Sequence, residues 1–328
     1  MSKKIMLGIL VVLGMLVGMG SLSMVNATTY YVDAVNGNDD NPGTQEEPFK
    51  TIGKGVEVAI DGDTVQCAPG TYTEEITITE RIALVGNGTP TIDPDIDGTA
   101  VTFSGNGADD ASISGFRITG VTGDWGVAGI HCYDADPKIT NNIITDNIFR
   151  GIRCSDSSPS ITNNTIIRNG EISIECGPYS HSSITNNIIR GNTWGINCHY
   201  YSNPIITNNI ITDNEYDGVS CDYSSPTITN NTIMGNDGVG IYCYNSSSPI
   251  TNNIITSNGI GIQSSESSPI IDYNCVWGNS YADYYDCVAG DNDISEPPQF
   301  VNEANGDYHL RPTSPCIDVG SNTAPALP

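Results

Sequence analysis

Apolar residues recur at a fixed spacing through the middle of this chain. The phrase Ile-Thr-Asn-Asn begins at Ile139, Ile161, Ile184, Ile206, Ile228 and Ile250, and a degenerate copy begins at Ile271. The intervals are 22, 23, 22, 22, 22 and 21 residues. A sustained period near this length indicates that each repeat forms one coil of a solenoid, because a single repeat cannot bury its apolar side alone.

Within each repeat, apolar and polar residues alternate in three short runs that turn residues separate. In the copy that starts at Pro226, the runs are residues 227–230, 232–233 and 240–243, and each places an isoleucine on one side. Alternation with a period of two is typical of a half-buried β-strand. Three short strands per repeat predict an all-β fold, a parallel β-helix of about ten coils, in which equivalent side chains stack roughly 4.8 Å apart.

The period also aligns asparagines in two columns, which begin at Asn142 and Asn147. Asparagine tolerates a left-handed backbone, and its amide both donates and accepts hydrogen bonds along a stack. We interpret both columns as turn structure rather than as a binding site.

The two ends of the chain differ from the repeats. Residues 1–27 are predicted to be a signal peptide, since Lys3 and Lys4 precede an apolar stretch that ends in small residues. An uncleaved membrane anchor is the alternative. We expect the β-helix over residues 28–288, with core repeats at 111–280, a short helical cap within 49–60, and an irregular C-terminal cap over 289–328. The protein is then secreted or attached to the cell surface, with no membrane span after signal removal.

The charge of the chain is strongly acidic and limits its partners. The sequence has 12 basic and 38 acidic residues, a formal charge of −26. Removing Lys3 and Lys4 with the leader leaves 10 basic residues and a charge of −28. Nucleic acid and anionic membranes are poor partners for such a surface. A polyanionic substrate would need a cation or a local basic patch.

Six of the ten cysteines follow the coil period and do not resemble a disulfide framework. They are Cys132, Cys154, Cys176, Cys198, Cys221 and Cys243. Each of them lies at a position whose side chain points into the solenoid, which predicts an interior column of free thiols. Neighbours in the column lie within disulfide range, but parallel strands in register direct both Cβ atoms the same way. Cys275 and Cys287 flank a loop and could pair, whereas Cys67 and Cys316 are unassigned.

The terminal segments are similar to those of secreted right-handed parallel β-helix proteins of the pectate-lyase-like superfamily. The segments that carry this resemblance are residues 30–33, 37–39, 42–44, 48–52, 62–65, 68–72, 298–301, 307–310 and 314–318. The resemblance covers nearly all of the chain after the leader. It implies a right-handed helix and a polysaccharide ligand. The catalytic signatures of pectate lyases and polygalacturonases are not recognisable in the sequence.

Candidate chemistry concentrates on the outward side of the third strand and in the turn that follows it. A solenoid lacks a natural pocket, so a site must be a shallow groove built from successive coils. The outward column contains His131, Arg153, Glu175, Asn197, Ser220 and Tyr242. Repeats that served only the fold would drift toward Ser and Thr at these positions, so their diversity indicates contact with a ligand.

We interpret this strip as a carbohydrate-binding face, since aromatic rings stack on sugar rings while acids and amides bond to hydroxyl groups. The predicted substrate contacts are His131, Asp134, His199, Tyr200, Tyr201, Asp222, Tyr223, Tyr242 and Tyr244. The alternative is a solvated face on which Tyr reflects strand propensity.

If the protein is an enzyme, the candidate catalytic residues are Arg153, Asp156 and Glu175. Arginine retains its proton in proteins, so as a lyase base it would require a calcium-bound uronate to acidify the neighbouring C–H bond. A hydrolase would require two carboxylates separated by roughly 5 to 9.5 Å, which Asp156 and Glu175, one coil apart, could satisfy. Polysaccharide lyase and glycoside hydrolase both remain open.

The segment from residue 33 to residue 41 is dense in oxygen donors. Asp33, Asp39 and Asp40 are candidate calcium ligands, although the segment does not match an EF-hand loop. Turn chemistry is the alternative explanation. Calcium is the one cofactor that the sequence suggests.

Two functions therefore compete. The first is a secreted, monomeric β-helix that binds, and in the enzyme case cleaves, extracellular polysaccharide. The second is a non-catalytic surface or matrix protein whose coils form a stiff rod near 50 Å long at roughly 4.8 Å per coil.

Overall fold

The computed structural model describes residues 27–95, 97–123 and 125–324. The predicted signal peptide, apart from Ala27, lies outside the described residues. Apart from one antiparallel pair near the C-terminal end, the described strands form three parallel sheets, and a regular coil contributes one strand to each of them. We number the sheets 1, 2 and 3 by the order of their strands within an Ile-Thr-Asn-Asn repeat.

The strands of each sheet follow one another in chain order. Sheet 1 contains Thr29–Val32, Thr64–Cys67, Ala83–Gly86, Ser112–Ser114, Lys138–Thr140, Ser160–Thr162, Ser183–Thr185, Ile205–Thr207, Thr227–Thr229, Pro249–Thr251 and Ile270–Asp272. Sheet 2 contains Thr71–Tyr72, Thr91–Ile92, Arg117–Ile118, Ile143–Thr145, Thr165–Ile167, Ile188–Arg190, Ile210–Thr212, Thr232–Met234, Ile254–Thr256 and Cys275–Trp277. Sheet 3 contains Ile76–Ile78, Val101–Ser104, Ala128–Tyr133, Arg150–Ser155, Ile172–Cys176, Trp194–His199, Val219–Asp222, Val239–Tyr244, Ile260–Ser265 and Ala282–Tyr285.

The structure confirms the predicted fold class, a parallel β-solenoid of about ten coils with very little helix. Successive isoleucines of the repeat are register partners, as Ile139 and Ile161 are in sheet 1. These side chains are fully buried and fill the interior. One continuous core therefore runs through the solenoid, because each coil covers the apolar side of the next.

The two asparagines of each repeat have different structural roles. The first, such as Asn208, adopts a left-handed backbone with φ of 55°. The second, such as Asn209, is buried and donates its amide to the next coil, with Asn209 Nδ2 3.0 Å from Asn231 Oδ1. The ladder that begins at Asn142 continues in this way to Asn274, and the last amide donates to the Asp293 carboxylate.

A parallel ladder begins at Asn147. Its links include Asn214 Nδ2 to Asn236 Oδ1 at 2.8 Å, and it ends where Asn279 donates to Asp283. The interpretation of these columns as turn structure thus covers only part of their role. They are also chains of buried hydrogen bonds that join the coils.

The N-terminal end is covered by one short helix, Ile52–Val58. Thr51 caps it by accepting a hydrogen bond from the Lys54 amide, and the Glu74 carboxylate accepts hydrogen bonds from the amides of Ile52 and Gly53. These contacts satisfy donors that the first turn of a helix leaves free. The helix lies within the predicted interval and is shorter than it.

The C-terminal end lacks the regular coil. Ile294 forms a single parallel bridge with Cys275, and Phe300–Asn302 pairs antiparallel with Asp307–Leu310. The remaining short elements are the 3-10 helices Asn106–Ala108 and Glu303–Asn305. Near the end of the chain, Ser321 exchanges two hydrogen bonds with Asn252. None of the helices in the described residues is long and apolar enough to cross a membrane.

All ten cysteines lie in the described part of the chain, and each is a free thiol there. The six in the predicted column are buried and are register partners, as Cys132 and Cys154 are. The suggested pairing of Cys275 with Cys287 is wrong. The Cys275 thiol donates to the Glu296 carbonyl and lies close to Cys316, whereas the Cys287 thiol donates to the Ile262 carbonyl.

Candidate functional site

The outward face of sheet 3 has the register that the repeat predicts. His131 pairs with Arg153, Arg153 with Glu175, Glu175 with Asn197, and the column continues through Ser220 to Tyr242. A second outward column, one pleat further along, joins His199, Asp222 and Tyr244. Because parallel strands in register stack equivalent side chains, residues distant in sequence form one surface.

An open cleft of about 570 Å³ lies on this surface. It spans several coils and is lined by Trp125, Arg150, Glu171, Ile172, Glu175, Asn197, His199, Tyr200, Ser220, Asp222, Tyr242 and Tyr244. Acids, bases and aromatic rings therefore meet in one groove.

Glu175 is the centre of a buried charge cluster at one end of the cleft. Its Oε2 lies 2.5 Å from Arg150 Nε and 3.3 Å from Arg153 Nε, while its Oε1 lies 3.1 Å from His199 Nε2. Arg150 also reaches Glu171 at 3.3 Å. The side chains of Arg150 and Glu175 are only 6% and 9% exposed, so both charges depend on each other for stabilisation.

Burial and the charges of the cluster shift the pKa values of Glu175 and His131. Burial alone would raise the pKa of Glu175, but the His199 hydrogen bond and the charges of Arg150 and Arg153 outweigh it and lower that pKa. Burial, with the nearby Arg153 charge, lowers the pKa of His131 to about 4. At neutral pH Glu175 is therefore an anion and His131 is a neutral imidazole.

Asp222 contributes a carboxylate oxygen without a protein partner. Its Oδ1 is buried, and no donor among the described residues lies within hydrogen-bonding distance. Burial and the charges of Asp217 and Asp222 raise the pKa of the neighbouring Tyr242, which keeps its phenol protonated. A buried acceptor on a cleft wall is costly unless a ligand or water satisfies it.

Aromatic rings surround the polar groups. Trp125 is 80% exposed, and its ring lies 5.9 Å from the Arg150 guanidinium carbon. Tyr200 packs edge-on against His199, and Tyr244 packs edge-on against Tyr223. The exposed ring of Trp125 and the Tyr side chains give the cleft apolar surfaces beside its hydrogen-bonding groups.

A row of tyrosines extends this surface past the cleft. Tyr179, Tyr201 and Tyr223 occupy successive coils in the turn after sheet 3, and the rings of Tyr179 and Tyr201 are stacked 6.2 Å apart. All three have positive φ, between 49° and 67°. The same turn is left-handed in other coils, at Asp134, Asp156, Asn245 and Glu266, so this conformation belongs to the turn of the coil.

The structure brings six of the predicted site residues into the cleft and leaves the others around it. Those in the cleft are Glu175, His199, Tyr200, Asp222, Tyr242 and Tyr244. Arg153 and His131 continue the same column at its edge. Arg153 donates to the Gly126 carbonyl at 3.1 Å, and His131 Nε2 lies 3.3 Å from Ser155 Oγ.

The remaining predicted residues lie in the exposed turn that follows the strands. Asp134, Asp156, Tyr201 and Tyr223 have left-handed backbones there. Asp156 is exposed and does not line the cleft, whereas Glu175 is enclosed by Arg150, Arg153 and His199. The two carboxylates proposed for hydrolysis are therefore not in one groove.

Three charged or aromatic cleft residues, and the apolar Ile172, were not predicted from the sequence. Trp125 lies in the loop before Ala128–Tyr133, and Glu171 lies in the turn before Ile172–Cys176, so neither falls on a repeated position. Arg150 occupies the first position of a sheet 3 strand, where equivalent coils carry Ala128, Ile172 and Trp194. A charged residue at a position that is small or apolar in the other coils was the feature of the sequence that could have identified Arg150 as a cleft residue.

The acidic N-terminal segment has a structural role in the described residues. Asp33 Oδ1 accepts hydrogen bonds from the amides of Val35 and Asn36, and Asp39 Oδ1 accepts them from Lys50 and Thr51. Asp40 donates its own amide to Asn38. No group of three or more His, Cys, Asp or Glu side chains in the described ranges is arranged to hold a metal ion. Turn chemistry therefore accounts for the residues suggested as calcium ligands.

Comparison with known proteins agrees with this architecture. The family model described as "Right handed beta helix region" matches residues 99–255. The chain is a right-handed parallel β-helix. No curated protein sequence matches it at a significant level.

Solved structures share the β-helix over most of the chain. The pectate lyase Pel9A is 16% identical with a TM-score of 0.67, over 90% of this chain and 92% of that one. An alginate lyase from Paenibacillus sp. is 15% identical with a TM-score of 0.55, over 82% and 99%. The A-module of a mannuronan C-5 epimerase from Azotobacter vinelandii is 17% identical with a TM-score of 0.53, over 81% and 97%. At these identities the likeness shows the fold alone.

Proposed function

We propose that this β-helix is an extracellular polysaccharide-binding protein whose glycan lies across the coils of sheet 3. The observation that carries the proposal is the cleft between Trp125 and Tyr244, where exposed rings surround buried hydrogen-bonding groups. Sugar rings present apolar faces and hydroxyl edges, and this combination of aromatic and polar surface matches both.

The length of the surface favours a polymer over a monosaccharide. The cleft is lined by residues of several coils, and the row of Tyr179, Tyr201 and Tyr223 continues beside it over successive coils. A repeating scaffold offers similar contacts at each coil, so consecutive sugars can each meet a ring or an acid. Solved β-helix structures similar to this one include proteins named for pectate, alginate and mannuronan, and a polysaccharide ligand is consistent with that likeness.

Binding is better supported than cleavage. A general acid needs a raised pKa to hold its proton at neutral pH, yet the pKa of Glu175 is lowered. Arg150 and Arg153 remain protonated and are paired with Glu175. The Glu175 cluster therefore supports a role in shaping and charging the cleft.

The test is a screen of the protein without its leader against a polysaccharide panel, followed by variants. Trp125→Ala and Tyr242→Ala should each weaken binding by about 3- to 10-fold, since one aromatic contact contributes roughly 0.5 to 1.5 kcal/mol. Trp277→Ala and Tyr281→Ala are the matched controls, because both rings are exposed but lie outside the cleft. Equal losses from cleft and control variants would contradict the proposal.

A structural rod is the second candidate. The specific observation that favours it is the pair of asparagine ladders, which run without interruption from Asn142 to Asn274 and from Asn147 to Asn279. Such continuity serves stiffness and does not depend on a ligand. A failure of every glycan in the panel to bind would favour the rod.

A further inference from the structure

We infer that the glycan bound in the cleft is an uncharged polysaccharide rather than a polyuronate. This inference rests on the proposed function and narrows it to a substrate class. It follows from the balance of charge in the cleft, from the unpaired oxygen of Asp222, and from the charge of the whole chain.

The basic groups of the cleft are already neutralised by the protein. Arg150 lies between Glu175 at 2.5 Å and Glu171 at 3.3 Å, and Arg153 contacts the same Glu175 at 3.3 Å. A sugar carboxylate would have to displace Glu175, which is almost fully buried. Leaving a buried carboxylate without its partners is strongly destabilising. The guanidinium groups are therefore poor anchors for an anionic sugar.

Several buried atoms of the cleft have no hydrogen-bond partner among the described residues, but those of Arg150, Glu171 and Glu175 form ion pairs with one another. The one that has neither a hydrogen bond nor an ion pair among the described residues is an acceptor. Asp222 Oδ1 is buried without a donor, and Asp222 lies on the strand next to His199 in register. A sugar hydroxyl can donate a hydrogen bond to this oxygen, whereas an ionised sugar carboxylate can only accept. A uronate placed here would face Asp222 across a short distance, which is a repulsive arrangement of like charges.

The remainder of the chain adds to this preference. Its formal charge of −26 acts on a long polyanion along its whole length, beyond the cleft itself. The effect should weaken as salt is raised, because exposed charges are screened over about 10 Å at 0.1 M ionic strength. The short-range repulsion at Asp222 should persist, because buried groups are screened less.

A matched pair of polymers tests the inference. Polygalacturonate and its fully methyl-esterified form share one backbone and differ in the carboxylate charge, so their affinities should be compared by titration in low and high salt. The neutral ester, or a neutral glycan from the panel, should bind at least about tenfold more tightly than polygalacturonate, as expected for like charges placed against each other. Equal or tighter binding of polygalacturonate would overturn the inference while leaving the proposed function intact.

Asp222→Asn is the decisive variant. It should weaken binding of the neutral polymer and reduce the difference in affinity between the neutral polymer and polygalacturonate, because the amide keeps one acceptor oxygen but carries no charge. Asp286→Asn is its control, because Asp286 is exposed in a turn outside the cleft and the substitution removes the same unit charge. The control should change neither affinity more than about twofold.

Calcium provides the last arm of the experiment. Polygalacturonate binding that appears only with added calcium would show recognition of a cation-bridged acid and would overturn the inference. Calcium-independent preference for the neutral polymer supports it. If neither polymer nor any neutral glycan of the panel binds, the proposed function itself is wrong. That result differs from preferential binding of polygalacturonate, which would contradict only the inference about charge.

Discussion

The asparagine ladder gives a sharp prediction about stability, because adjacent residues of one motif have opposite roles. We consider the same substitution at both positions of one repeat, Asn208→Gly and Asn209→Gly. Asn208 has φ of 55°, and its backbone amide donates to the Thr229 carbonyl. Glycine adopts that conformation without strain and keeps the amide, so the free energy of unfolding should change by no more than about 0.5–1 kcal/mol.

Asn209 is different because its side chain makes five buried hydrogen bonds. Its Nδ2 donates to Ile184 O, Thr207 O and Asn231 Oδ1, and its Oδ1 accepts from Asn187 N and Asn187 Nδ2, all within 2.9–3.1 Å. Removing the amide leaves the Asn187 backbone N–H without its acceptor and the carbonyls of Ile184 and Thr207 without the Asn209 donor, while Asn187 Nδ2 keeps the carbonyls of Ile161 and Thr185. At about 1–3 kcal/mol for each unsatisfied buried group, plus about 1 kcal/mol for glycine in place of a larger residue, we expect a loss of about 3–5 kcal/mol.

Urea unfolding followed by far-ultraviolet circular dichroism measures the global effect. Hydrogen exchange of the amides around residues 184–231 measures the local effect, since a solenoid can open coil by coil. Similar losses in both variants would show that turn geometry dominates the motif. A loss below about 1 kcal/mol for Asn209→Gly would refute the ladder as a source of stability.

Other predictions follow from the core and the charge cluster. Thiol labelling should be negligible for the folded column from Cys132 to Cys243 and should reveal free thiols in denaturant; complete oxidation would contradict the buried column. The pKa of His131 is about 4 in the folded protein and about 6.5 in the unfolded chain, so the unfolded chain binds the proton first as pH falls. The free energy of unfolding should therefore decrease as pH is lowered from about 6.5 to about 4. His131→Gln should flatten that decline, and an unchanged slope would exclude His131 as its source. Glu175→Gln should lower the free energy of unfolding by about 3–5 kcal/mol, because Arg150 loses the closer of its two carboxylate partners. An unchanged free energy in urea unfolding would show that the charge of Glu175 does not stabilise the fold.

The repeat period made most of the solenoid predictable. The alternation within Thr227–Thr229 and Val239–Tyr244 defined the strands, and the fixed spacing aligned Glu175 with Asn197. Register follows from spacing in a parallel solenoid, so the sequence was sufficient to place Glu175, His199, Asp222 and Tyr242 on one face.

Features outside the repeat were not predictable in this way. Trp125 and Glu171 enter the cleft from irregular loops, whose paths depend on tertiary contacts. The closeness of Cys316 to Cys275 depends on how the C-terminal segment folds back onto the last coils, and no local sequence pattern predicts that path. The different roles of Asn208 and Asn209 could be assigned only from the backbone conformation, because the sequence is compatible with either asparagine in the turn.

The central claim is that the sheet 3 cleft binds polysaccharide. The direct measurement is calorimetric titration of the tightest glycan from the panel into the wild type, the Tyr242→Ala/Tyr244→Ala double variant and the Tyr281→Ala control. We predict that the double variant loses at least about fivefold in affinity, from two contacts of roughly 0.5 to 1.5 kcal/mol each, while the control retains wild-type affinity. Wild-type affinity in the double variant, with its fold intact by circular dichroism, would contradict the claim.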